Sequence, residues 1–181
     1  MIIAETERLI IRNWEERDRA LFHEINSDDR VMEFFAMRRD RAESDALLDV
    51  VRDRIAETGY GFPAVELKAS GEVIGFTGLN DHYSADVKPE GVPEIGWRMA
   101  TRYWGKGYAS EAAKAMVDVA FNERGHDQVV AFAVANNHRS TAVMERLGMR
   151  RDPEGDFDHP SVPDTHPHLK RHVLYRLMRA D

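Results

Sequence analysis

Residues 93–125 read, in order, as a strand, a loop with two glycines and an amphipathic helix. The loop, residues 102–109, has the sequence Arg-Tyr-Trp-Gly-Lys-Gly-Tyr-Ala. From Ala109 to Phe121 the apolar residues recur at intervals of three and four, which predicts a helix, and Gly125 marks its end. Two glycines before a helix N-terminus let backbone N–H groups point at one small volume. The segment therefore predicts a binding site for a phosphate or pyrophosphate.

Other glycine loops fit the sequence less well. A P-loop has four residues between its glycines and then Lys-Ser or Lys-Thr, a pattern that this segment lacks. A dinucleotide-binding fingerprint would need a glycine at position 110, which is Ser110. The remaining alternative is a tight turn in which Gly105 and Gly107 only relieve backbone strain.

The rest of the chain alternates between strand-like and helix-like patterns. Strands are predicted at residues 8–12, 62–68, 73–79, 93–99, 128–134 and 172–178, and loops at 81–92 and 152–170. Helices are predicted at residues 15–25, 47–55 with Gly59 as the C-cap, 109–121, and 140–147 with Gly148 as the stop. This order favours an α/β fold with a mixed sheet, and residues 1–181 are expected to form a single domain.

Composition excludes several functional classes. The chain of 181 residues has no cysteine, so disulfides and thiolate metal sites are excluded. Its net charge of −7 argues against broad nucleic-acid binding, and an acidic surface suits a cationic substrate such as an amine. No apolar run approaches the roughly 20 residues of a membrane helix. Residues 1–8 lack a basic segment followed by an apolar core, so no export signal is expected. A cytoplasmic protein without a nucleic-acid or membrane partner is expected, and a homodimer stays open.

Five segments, in order along the chain, resemble the GCN5-related N-acetyltransferases (GNAT), and within them the branch that acetylates ribosomal-protein N-termini. They are Glu7-Arg-Leu-Ile-Ile-Arg12, Gly75-Phe-Thr-Gly-Leu79, Glu94-Ile-Gly-Trp-Arg-Met99, Arg102-x-x-Gly105-x-Gly107, and Asn137-His-Arg-Ser140 with Leu147-Gly-Met149. The resemblance runs from about Thr6 to Met149 and implies a single-domain GNAT-like fold with a mixed, mostly antiparallel sheet.

The resemblance implies acetyl-CoA as co-substrate. The acetyl group would pass to a primary amine, either a protein N-terminus or a small amine, by direct attack in a ternary complex. The alternative is a catalytically weak acyl-CoA-binding regulatory module of the same fold. The residues that the resemblance assigns to the coenzyme are Trp97, Arg98, Met99, Arg102, Gly105, Lys106, Gly107, Tyr108, Ala109, Asn137 and Ser140.

Two residues are candidates for catalysis. Glu94 is the candidate general base, because an alkylamine must lose a proton before it attacks; the competing interpretation is a structural ion pair with Arg98 or another cation. Many GNAT enzymes have a tyrosine acid four residues before the glycine of the Leu-Gly pair, but this chain has Met144 there. The resemblance offers Ser140 instead as proton donor to the leaving thiolate. Ser140 is also expected to cap the helix that follows it.

Four histidines, His159, His166, His168 and His172, lie near aspartates in and beside the predicted loop 152–170. Their spacing does not match a helical zinc site and thiolates are absent, so no metal is expected. The segment is expected to fold over the acceptor pocket.

Overall fold

The structure is a computed structural model that describes residues 1–81, 87 and 91–179. The described residues form eight strands: β1 (Ile2–Glu5), β2 (Leu9–Arg12), β3 (Ala64–Leu67), β4 (Val73–Asn80), β5 (Glu94–Met99), β6 (Gln128–Val134), β7 (Arg150–Asp158) and β8 (Arg171–Met178). They also form four α-helices: α1 (Arg19–Ser27), α2 (Arg41–Thr58), α3 (Tyr108–Asp118) and α4 (His138–Arg146). Among these residues, no helix is long and apolar enough to cross a bilayer.

All eight strands belong to one sheet, in the order β1-β2-β3-β4-β5-β6-β8-β7. Neighbouring strands are antiparallel except β5 and β6, which run parallel and are connected through α3. This helix packs on β4 and β5 and buries Ala112, Ala113 and Met116. The predicted α/β fold with a mixed, mostly antiparallel sheet is confirmed.

An aromatic cluster joins α1 to the sheet. The rings of Trp14 and Phe22 meet edge to face at 4.8 Å, and Phe76 of β4 lies 6.2 Å from both. The indole Nε1 of Trp14 donates to the backbone carbonyl of Phe62 at 2.8 Å, so its buried polar atom is satisfied. These contacts hold α1 against the strand that neighbours β5.

A buried ion network fixes the turn before α1. Arg12 on β2 donates to both carboxylate oxygens of Asp18, at 2.7 and 3.1 Å, and to Glu66 on β3 at 2.7 Å. All three residues are buried. A buried charge is tolerated only when it is paired and hydrogen-bonded, and here the guanidinium serves both carboxylates. The network therefore ties β2, β3 and the start of α1 together.

Two strands differ from the sequence-based expectation. β1 was not predicted, because it is four residues long, lies at the edge of the sheet and is largely exposed. The predicted loop 152–170 is wrong over its first part, where β7 pairs antiparallel with β8. The proline, histidine and aspartate content of this segment indicated a loop, but β7 is the other edge strand, and edge strands tolerate a proline such as Pro153. The pairing register shifts between Asp152 and Phe157.

The predicted helices differ from the observed ones mainly at their ends. Gly59 caps α2 in the left-handed conformation (φ 74°), as expected. α3 begins at Tyr108, and one wider π-type turn, Val119–Glu123, carries it on towards Gly125 (φ 71°). α4 begins at His138 rather than at the predicted Ser140. The predicted loop 81–92 lies mostly outside the described residues.

Candidate active site

The parallel strands β5 and β6 part soon after they meet. Their one register pair among the described residues is Glu94 with Val130, supported by a 3.0 Å hydrogen bond from Val130 N–H to the Pro93 carbonyl. Both strands then run on to their C-terminal ends, β5 into the glycine loop and β6 into the turn before α4. The backbone edges that face each other beyond Glu94 are therefore open to a ligand, in a cleft at the carboxyl ends of the two strands.

The glycine loop has the backbone conformation of an anion site. Gly105 (φ 74°) and Gly107 (φ 81°) are both left-handed, which favours glycine over any residue with a Cβ. In the part of the chain that the structure describes, the backbone N–H groups of residues 105–110 donate no hydrogen bond. The N-terminus of α3 adds the positive end of a helix dipole. These N–H groups fit the pyrophosphate of a coenzyme, which supplies the acceptor oxygens that they lack.

Two side chains of the loop point to partners within the protein. Arg102 forms ion pairs with Glu24 on α1 and, at 3.5 Å, with Glu72 in the β3–β4 turn. The ammonium of Lys106 lies 5.4 Å from the ring centre of Tyr103. Ala109 is the second residue of α3. In this structure, then, the backbone of the loop, rather than the side chain of Arg102, presents donors to an anion.

The β5 residues that were assigned to the coenzyme make contacts within the protein. The carbonyl of Met99 accepts a hydrogen bond from the Trp104 indole at 2.8 Å, while Trp97 packs partly buried against the core. The guanidinium of Arg98 lies 3.8 Å from the ring centre of Phe35 and donates to Asn26 at 3.2 Å. The Arg98 side chain therefore faces α1 and the segment after it.

Glu94 lies where β5 and β6 meet. It is the first residue of β5 and only 7% exposed, although it is charged in water at neutral pH. A buried carboxylate costs free energy, and such groups are often functional. Glu94 lies at the end of the cleft where β5 and β6 pair, and its role as general base stays a prediction.

The helix after β6 is capped by a residue other than the predicted one. Asn137 is the N-cap of α4, and its side-chain oxygen accepts from the backbone N–H of Ser140 at 3.2 Å. The expectation that Ser140 caps this helix is wrong, because Ser140 is its third residue. The hydroxyl of Ser140 makes no hydrogen bond to another described residue, so it is available to a ligand. Met144 is 1% exposed and lies in the hydrophobic core.

Two of the four histidines pack into an aromatic group rather than a metal site. His159 and His172 lie with ring centres 5.0 Å apart, beside Phe132 and Phe157. Nδ1 of His172 lies 2.8 Å from the Lys170 carbonyl, which can only accept, so Nδ1 carries the proton. Burial lowers the pKa of both rings below the usual histidine value, which keeps them neutral at pH 7. Among the described residues, no three potential metal ligands cluster together.

Three residues that meet at the start of α3, Thr6 and Arg8 from the β1–β2 connection and Glu111 from the helix itself, were not predicted as part of the site. Glu111 accepts hydrogen bonds from the Thr6 hydroxyl at 2.5 Å, from Arg8 N–H at 3.1 Å and from Arg8 Nε at 2.6 Å. Burial alone would raise the pKa of Glu111, but the bonds from Thr6 and Arg8 outweigh it and the pKa is lowered. The sequence separation of more than 100 residues hides this contact. The one available signal was the glutamate in the first turn after the glycine loop.

Comparison with known proteins decides the family. Residues 8–150 match the model of the Acetyltransferase (GNAT) domain. The chain belongs to the GNAT acetyltransferase family. It is accordingly an acetyl-CoA-dependent N-acetyltransferase. This assignment favours the enzyme over the acyl-CoA-binding regulatory module. The predicted family, enzyme class and co-substrate are confirmed.

Individual relatives cover most of the chain. It is 34% identical to the uncharacterized protein YkkB and 32% identical to the uncharacterized N-acetyltransferase YnaD, both from Bacillus subtilis. These alignments cover 80% and 81% of the chain, and 83% and 82% of the relatives. A GNAT-family acetyltransferase structure from Bacillus anthracis superposes with a TM-score of 0.80 at 27% identity, over 98% of both chains.

The fold is also shared with the ribosomal-protein branch named in the sequence resemblance. A structure described as a ribosomal-protein-serine acetyltransferase from Vibrio cholerae superposes with a TM-score of 0.75, over 99% of this chain and 98% of the other. The two are 16% identical, so the likeness concerns the fold alone.

Proposed function

We propose that the chain transfers the acetyl group of acetyl-CoA to a primary amine, either a protein N-terminus or a small amine, by direct attack in a ternary complex. The observation that carries this proposal is the cleft between β5 and β6, with open N–H groups of residues 105–110 at its mouth. In this proposal residues 1–181 act as one domain in the cytoplasm, where acetyl-CoA and amine acceptors meet.

The coenzyme would be held mainly by backbone groups. The N–H groups of the glycine loop and of Tyr108 and Ala109 bind the pyrophosphate, and the backbone of β5 from Trp97 to Met99 binds the pantetheine arm. Asn137 and Ser140 line the opposite wall, at the end of β6. The coenzyme supplies an activated acetyl thioester, whose carbonyl a backbone N–H of β5 polarises.

In this proposal two side chains carry out the proton transfers. Glu94 accepts a proton from the amine, directly or through a water, so that the nitrogen lone pair attacks the carbonyl carbon. As the C–N bond forms, the C–S bond breaks and a thiolate leaves. The Ser140 hydroxyl relays a proton from solvent to that thiolate. Met144 takes no part, because its side chain is buried in the core.

The charge of the chain supports an amine acceptor. The net charge of −7 attracts cationic molecules, and alkylamines are cations at neutral pH until they lose a proton. A carboxylate at the closed end of the cleft serves both steps, since it attracts the ammonium form and then removes its proton.

Released thiol gives the direct test. The chain has no cysteine, so a thiol reagent detects only the coenzyme product. Peptides with free N-termini, the same peptides with blocked N-termini, and small amines would each be mixed with acetyl-CoA. Mass spectrometry would then locate the added acetyl group. We expect thiol release to match acetylation of an amine one to one. Thiol release without an acetylated amine, or no turnover with any acceptor, would refute the proposal.

A further inference from the structure

Arg8, which lies just before β2, contacts the glycine loop and the first turn of α3 together. Its Nε and one terminal nitrogen lie 2.6 and 2.5 Å from one carboxylate oxygen of Glu111. Its other terminal nitrogen donates to the carbonyl of Lys106 at 3.2 Å. Its guanidinium lies 4.6 Å from the ring centre of Tyr108. One side chain thus bridges both parts of the structure that form the anion site.

The contact with Glu111 removes an electrostatic obstacle. Glu111 is the fourth residue of α3, so its carboxylate lies within one turn of the N–H groups that face the anion. An unneutralised negative charge there would repel a pyrophosphate. The guanidinium of Arg8 neutralises it, and the Thr6 hydroxyl and the Arg8 backbone N–H occupy its second oxygen.

The contact with Lys106 orients a donor of the loop. The carbonyl of Lys106 and the N–H of Gly107 belong to the same peptide group. The chain has no cis peptide bond among the described residues, so these two groups point in opposite directions. Because the Lys106 carbonyl points towards Arg8 and accepts its hydrogen bond, the N–H of Gly107 points away from Arg8. A Cβ on Gly107 would lie 3.5 Å from an Arg8 nitrogen, which shows how closely the side chain backs the loop.

From these contacts we infer that Arg8 is a positioning residue for the diphosphate of acetyl-CoA. It acts through the loop and not on the reacting atoms: it fixes the direction of the Gly107 N–H and neutralises Glu111. This inference rests on the proposed function of the loop. It predicts that loss of Arg8 weakens recognition of the diphosphate and leaves the acetyl-transfer step unchanged.

The test compares two acetyl donors. Acetyl-CoA carries the diphosphate, whereas S-acetylpantetheine has the same thioester and pantetheine arm without it. For Arg8→Ala we expect KM for acetyl-CoA to rise about tenfold with kcat within about twofold, an effect of the size of one misaligned or repelled hydrogen-bond contact. KM for S-acetylpantetheine should not change. Arg8→Lys keeps the positive charge but lacks the planar guanidinium that contacts Glu111 and the Lys106 carbonyl together. It should therefore show a smaller rise in KM than Arg8→Ala.

The matched control is Lys68→Ala. Lys68 lines the same shallow pocket as Arg8 and Tyr108, but its ammonium pairs with Glu5 at 2.8 Å and, among the described residues, forms no hydrogen bond or ion pair with the loop. Neither KM should change in this variant. Thermal unfolding of every variant checks the fold, and Arg8→Lys supplies the test if Arg8→Ala does not fold. An equal loss with both donors, or no loss with either, overturns the inference.

A loop variant separates this inference from the function on which it rests. Gly105→Asp places a negative charge in the loop. A Cβ there meets no atom within 4 Å, but the left-handed backbone of Gly105 (φ 74°) adds strain, so thermal unfolding of this variant is measured as well. KM for acetyl-CoA alone should rise. If Gly105→Asp changes neither KM, the pyrophosphate site itself is wrong. If Gly105→Asp is selective for acetyl-CoA and the Arg8 variants are not, only the role of Arg8 is wrong.

Discussion

The carboxylate of Glu111 should stabilise the folded chain in a pH-dependent way. In Glu111→Gln the amide keeps one oxygen, which can face Thr6, but its nitrogen then faces the guanidinium of Arg8. Two hydrogen bonds between charged groups are lost, each worth about 1.5–3 kcal/mol. The Arg8 side chain is 45% exposed and can turn to water, which reduces the expected loss to about 2 kcal/mol.

The stabilisation that Glu111 provides should be present near neutral pH and lost in acid. The pKa of Glu111 is lowered in the folded state, so its contribution is complete above the unfolded value of about 4.3 and is lost as the pH falls below it. A protonated Glu111 resembles the glutamine of the variant. The difference in free energy of unfolding between wild type and variant should therefore be constant from pH 5 to 7 and narrow below about pH 4.3.

Urea unfolding at several pH values measures this difference, with Glu123→Gln as control. Glu123 is exposed, lies in the turn that continues α3, and forms no hydrogen bond or ion pair with the described residues. The control should stay within about 0.5 kcal/mol of wild type. A Glu111→Gln difference below about 0.5 kcal/mol at pH 7, or one that does not change with pH, would refute the account of the Glu111 contacts.

Three further predictions follow from the site and the sheet. Glu94→Gln should lower kcat by about 10²- to 10⁴-fold, with the smallest loss at high pH where the amine is already neutral; an unaltered pH–rate profile would remove Glu94 as base. Met144→Tyr should cost about 1–3 kcal/mol of stability without raising turnover, since the position is 1% exposed; faster turnover would show that this position reaches the thioester. Gly78→Ala should lower the urea midpoint markedly, because its Cβ would lie 2.1 Å from the Gly61 carbonyl and 2.5 Å from Pro63; an unchanged midpoint would contradict this close approach.

Local patterns predicted the parts of the site that lie close together in the sequence. The glycine loop and α3 follow one another directly, so turn chemistry and helical periodicity were enough to predict both. The strand before the loop was predicted over residues 93–99 and runs from Glu94 to Met99. The cap of α4 was assigned to the wrong residue, because Asn137 and Ser140 are both good capping residues and only the backbone decides between them.

Contacts between distant segments were not predictable in the same way. The pairing of Arg8 with Glu111 joins residues 103 positions apart, and no periodic pattern in the sequence indicates it. β7 was missed because an edge strand needs neither alternating apolar residues nor a donor at every position. Its partner strand supplies the pairing, and that pairing depends on the three-dimensional arrangement of the sheet.

The place of β8 in the sheet has a consequence for synthesis on the ribosome. β8 lies between β6 and β7, although it is the last of the eight strands along the chain, and it pairs with β6 at every position from Gln128 to Val134. Until β8 emerges, the nascent chain presents the apolar edge of β6 without a neighbour, and such an edge invites pairing with other chains. Ribosomes that terminate just before residue 171 should therefore release products that aggregate, even though the other seven described strands have already been synthesised.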